Sequence, residues 1–81
     1  MRITRAEAGR QLSALAVKVA KLDGGRVANR LSAYALLVRE RSEHGEAMCT
    51  ELEELAAQTP NGPVADALHE ACGIMRQLFG L

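Results

Sequence analysis

The sequence predicts an all-α protein. Three observations carry that expectation. Apolar residues recur at intervals of three and four along most of the chain, which is the period of one helix face. The only aromatics are Tyr34 and Phe79, so the core must be built from Leu, Val, Ala and Met, a composition that suits helix packing better than a sheet. Residues that stop a helix gather at a few places only, chiefly 23–25 and 59–63. With 81 residues and no repeat, low-complexity tract or linker, the chain reads as one domain spanning 1–81.

The first helix is expected over about residues 5–22. Thr4 followed by Glu7 has the form of a capping box, in which hydroxyl and carboxylate satisfy opposite unpaired N–H groups. Ala8, Leu12, Leu15, Val19 and Leu22 then step by 4, 3, 4, 3 and line one face, with Glu7, Arg10, Ala14, Lys18 and Lys21 on the other. Asp23-Gly24-Gly25 ends the helix, because glycine accepts the left-handed backbone common just past a helix C-terminus.

A second pattern begins near Arg26, with Val27, Leu31, Tyr34 and Val38 on the same spacing. Leu36 and Leu37 fall outside that stripe, so 32–38 is apolar nearly all round, more than a single neighbouring helix covers. The register continues through Arg41 and Gly45 to Met48, Leu52 and Leu55. Two readings compete at this point. Arg39 and Arg41 suit a helix C-terminus and Glu43 and Glu46 suit an N-terminus, which favours a break at 42–45. Against the break, no capping residue follows Gly45 and the stripe resumes in phase. The preferred expectation is one long helix over about 26–58, bent at Gly45, where a lone glycine costs about 1 kcal/mol.

Thr59-Pro60-Asn61-Gly62-Pro63 is the clearest turn in the chain, with two prolines and an Asn-Gly pair. The last helix, about 64–79, begins with Pro63 suited to its first turn. Val64, Leu68, Ala71, Met75 and Leu78 form its stripe, widened by Cys72 and Phe79.

A 33-residue helix would be about 50 Å long, and the outer helices about 25 Å each. The first helix would fold on its first half and the last on its second half, a three-helix arrangement that leaves the middle open. An antiparallel homodimer would cover it. If the long helix breaks near Gly45, the two hairpins can instead close on each other as a four-helix bundle.

Charge supports the same pairing. Residues 1–41 carry nine Lys/Arg against three Asp/Glu, and residues 42–81 carry one against seven, so the halves are +6 and −6 around a net charge of zero. Such polarity biases which surfaces meet.

The chemistry-bearing residues make no recognisable catalytic set. His69-x-x-Cys72 puts two ligand types one turn apart, but His44 and Cys49 face differently and Cys72 belongs to an apolar stripe, so neither a metal nor a cofactor is expected. No serine or cysteine sits in a nucleophile motif, Gly24-Gly25 lacks a phosphate-loop pattern, and Glu51, Glu53 and Glu54 read as a solvated helix face. Cys49 and Cys72 read as reduced, buried thiols. The longest apolar runs are too short for a membrane span and the N-terminus has no apolar leader core, so a cytoplasmic location is expected.

The expectation for function is a small non-catalytic protein–protein interaction module, an adaptor, chaperone, inhibitor or regulator of a partner protein. Tyr34, Leu36, Leu37, Met48, Leu55, Met75 and Phe79 are its candidate contact residues, the same residues serving equally as a bundle or homodimer core. The alternative is a nucleic-acid-associated regulator using Arg10, Lys21, Arg26 and Arg30 in the basic half.

Overall fold

The computed structural model describes residues 3–22, 25–40 and 45–80. It contains four helices, α1 Arg5–Lys21, α2 Gly25–Arg39, α3 Gly45–Gln58 and α4 Pro63–Phe79, and no strand among those residues. No described helix is long and apolar enough to cross a membrane.

The continuous helix over 26–58 is not what forms. α2 ends at Arg39 and α3 begins at Gly45; the expected join over 41–44 lies outside the described residues, as do Asp23 and Gly24 of the first expected turn. The physical reason is compactness. The molecule measures 29 × 20 × 20 Å, whereas an unbroken helix of that length would span about 50 Å. Breaking the helix lets the two hairpins fold on each other, which buries both stripes without a second chain.

α1 starts where the capping residues place it. The Thr4 hydroxyl accepts the Glu7 N–H at 3.1 Å. The Glu7 carboxylate is held by Arg10 Nε at 2.9 Å and Gln11 Nε2 at 3.0 Å. α4 starts with Pro63 at its first position and ends at Gly80, whose φ of 70° is the left-handed conformation that returns its N–H to the Arg76 carbonyl.

Close backbone packing joins α1 to α2, α3 to α4 and α1 to α4. The core is apolar throughout, with Leu12, Val19, Leu31, Val38, Leu52, Leu68 and Met75 fully enclosed and no buried charged residue among the described positions. Between these large side chains sit Ala8, Ala16, Ala28, Ala35, Ala56, Ala67 and Ala71. Alternating large with small residues lets helices approach closely and fills the interior without strain.

One end of the bundle ties all four helices together. Arg5, at the start of α1, donates from Nη1 to the Val38 carbonyl near the end of α2 at 3.2 Å. Its guanidinium carbon lies 5.5 Å from the centroid of the Phe79 ring at the end of α4. Phe79 in turn covers Gly45 at the start of α3, so closely that a Cβ there would fall 2.4 Å from the ring. Gly45 is therefore a seat for an aromatic ring and not the bend expected from its position in the pattern.

Alanine normally stabilises a helix relative to glycine by about 1 kcal/mol. At Gly45 the sign reverses: Gly45→Ala must displace the Phe79 ring and should destabilise by about 1–3 kcal/mol, measured by urea unfolding. A gain in stability would show that the ring seat has no energetic role.

Candidate protein-contact surface

The structure separates the expected contact residues into two groups. Tyr34, Met48 and Met75 are buried in the core cluster, where they hold the bundle together and are not available to a partner in the closed fold. Of the two roles expected of them, contact surface or bundle core, these three take the core position in the closed fold. The reason is that two hairpins, not one, shield them. Leu55 and Phe79 are half-buried and pack against the same core. Leu36 and Leu37 are the two that face outward, 56% and 38% exposed. Leu22, expected on the stripe of the first helix, is also exposed because it lies just past the end of α1, and Val17 is an exposed large apolar residue that sequence reasoning passed over. The signal was available for Val17, which stands outside the stripe of the first helix.

Leu36 and Leu37 share the outer face of α2 with Arg26, Asn29, Arg30 and Ala33, all exposed. At 100° per residue these positions lie within about 60° of Ala33, opposite the buried row Ala28, Leu31, Tyr34, Ala35 and Val38. Arg26, Asn29, Arg30 and Ala33 line an open depression of about 280 Å³. One helix face thus carries a basic, concave end and an apolar, convex end.

The four basic candidates are not brought into one site. Arg10 is paired with Glu7 on its own helix and Arg30 Nε is 3.0 Å from Glu51 Oε1 of α3. Lys21 and Arg26 are exposed near the α1–α2 connection. The Arg10 guanidinium, followed by the Gln11 amide, lowers the Glu7 carboxyl to a pKa of about 2, and Glu7 raises that of Arg10.

The Arg30–Glu51 pair crosses from the basic half to the acidic half. Below it lies Tyr34, 3% exposed, whose hydroxyl is buried near the Glu51 carboxylate and meets no partner at full hydrogen-bond geometry among the described residues. Burial first and the nearby Glu51 second push the phenol's pKa up, so it stays protonated. On the other side of the bundle Arg76 pairs with Glu53, and this carboxylate followed by the Cys49 side chain raises the arginine's pKa. Cys72 is raised mainly by burial, then by Cys49 and Glu53, which keeps it a thiol.

Neither cysteine is bonded, and both are buried. His69 is exposed whereas Cys72, one turn on, is buried; His44 lies outside the described residues. Among the described residues no three His, Cys, Asp or Glu side chains converge as a metal-ligand group.

Two outcomes follow. Tyr34→Phe removes a buried hydroxyl with no partner at full hydrogen-bond geometry among the described residues, so unfolding stability should change by less than about 0.5 kcal/mol or rise; a loss above about 1.5 kcal/mol would mean that the hydroxyl pairs with Glu51 in solution. Glu7, lowered in the folded state, supports α1 above its unfolded pKa of 4.5, and that support is lost as pH falls towards 2. Arg10→Ala should return Glu7 most of the way to 4.5 in a carboxylate NMR titration.

In comparisons with protein-family models, curated proteins and solved structures, no match to this chain was found.

Proposed function

We propose that this protein is a non-catalytic interaction module that self-associates and regulates a partner protein by occupying part of its surface, as an adaptor, chaperone or inhibitor. The observation that carries the reading is the outer face of α2, where Leu36 and Leu37 stand in solvent beside the Arg26–Arg30 depression. Large apolar side chains on the outside of a bundle whose core is otherwise well filled lose free energy to water, and covering them supplies an association with its main driving force. The exposed Arg26 at the far end of the same face favours an acidic neighbour and helps set its orientation. Buried, reduced cysteines suit a cytoplasmic setting.

A nucleic-acid role would draw on Arg10, Lys21, Arg26 and Arg30, but Arg10 and Arg30 already spend their charge on Glu7 and Glu51. The protein-contact reading is therefore preferred.

The test is a double substitution, Leu36→Glu with Leu37→Glu. Both side chains are exposed, so the helix content and thermal midpoint should be close to wild type. Self-association by light scattering and retention of a partner in affinity capture should both be lost. Full regulatory activity in the double variant would end the proposal. Binding to labelled DNA or RNA that falls by about 0.9 log unit per phosphate contact for each tenfold rise in salt would establish the nucleic-acid role instead.

A further inference from the structure

The self-association proposed above does not by itself say which surface is used. We infer that two copies of this chain dock through the outer faces of their α2 helices, antiparallel, about a twofold axis passing at Ala33. This rests on the reading that the protein self-associates, and goes beyond it by assigning the surface and its register.

A twofold interface must be complementary to itself, so each feature at one end of the patch needs its counterpart at the other. The exposed row on α2 meets that condition. Its members in chain order are Arg26, Asn29, Arg30, Ala33, Leu36 and Leu37, followed by exposed Glu40, whose N–H bonds the Leu36 carbonyl and so extends the helical turn. In an antiparallel pair centred on residue 33, each residue meets the one whose number completes the same sum. Arg26 then faces Glu40 of the second copy, Asn29 faces Leu37, and Arg30 faces Leu36. The same arrangement occurs twice by symmetry.

Shape agrees with charge. Ala33 at the crossing has the smallest side chain of the row, which lets two helix backbones come close. The depression beside it is lined by Arg26, Asn29, Arg30 and Ala33, the positions that this register sets opposite Leu36 and Leu37 of the second copy. Those leucines would seat in it against the methylene stems of the arginines, whose charged ends stay in water. Arg30 keeps its own Glu51 during docking, because that carboxylate sits on the α3 side of the helix.

Arg26 and Glu40 cannot satisfy each other within one chain, since 14 residues of helix separate them by about 21 Å. A functional link between these two positions therefore reports contact between chains. The surface of one short helix is small, so the dimer should be reversible, concentration-dependent and weakened by salt.

The experiment is a charge swap followed by sedimentation equilibrium over a range of concentrations, with circular dichroism on every variant to establish that it is folded. Wild type should show a monomer–dimer equilibrium. Arg26→Glu and Glu40→Arg should each raise the dissociation constant roughly tenfold, since each turns two rim attractions into repulsions. Combining the two reversals should restore an affinity close to wild type. A dimer indifferent to either reversal, or a double variant no better than the singles, would overturn this surface while leaving self-association in place. A wild-type protein that stays monomeric at every concentration would overturn both.

Discussion

The closed fold depends on the contact between Phe79 and Gly45. Phe79 is the last residue of α4 and Gly45 the first of α3, and the absence of a side chain at 45 lets the ring lie directly on the backbone. Arg5 covers the ring from α1 and reaches on to the Val38 carbonyl of α2. Four helix ends are thereby fixed at one end of the molecule by one aromatic ring, one cation and one missing methyl group. The hydrogen bond to Val38 also places positive charge at the C-terminal end of α2, where the helix dipole favours it. The alanine-rich core then follows, because helices held this close have room only for small residues between the leucines.

Much of this could be read from residue order. The capping pair Thr4 and Glu7, the apolar stripes, the 59–63 turn and Pro63 each act within one helical turn, and α1, α4, the start of α2 and the end of α3 sit within a residue or two of their expected bounds. The course of the chain around Gly45 could not be read in this way. Its stripe continues in phase from α2 into α3, a pattern equally consistent with one helix or with two whose core faces coincide. What separates them is packing between residues far apart in sequence, of which the Phe79 ring on Gly45, 34 residues further on, is one contact, and local periodicity carries no information about it. The contact residues divide for a related reason. Tyr34, Met48 and Met75 lie on stripes and went to the core, whereas Leu36 and Leu37 lie off the α2 stripe and stayed outside. Position relative to the stripe was the better guide to exposure than apolar character.

The division of charge along the chain contributes little to stability. Of the ion pairs among the described residues, Arg10–Glu7 lies within the basic half and Arg76–Glu53 within the acidic half, and only Arg30–Glu51 crosses between them. All are substantially exposed, and exposed pairs contribute typically under about 1 kcal/mol each. Hydrophobic packing between the hairpins therefore holds the halves together, while most of their charge faces solvent. There it acts over a Debye length of roughly 8 Å and orients whatever approaches.

Cys49 and Cys72 lie in the interior, and burial holds the Cys72 thiol protonated. A thiol in that setting is shut off from oxidants and alkylating agents for as long as the helices stay closed, and becomes an ordinary reactive group once they part. Cysteine chemistry in this molecule is therefore a record of opening. The proportion of modified sulfur found in a population counts how often, and for how long, its members have come undone.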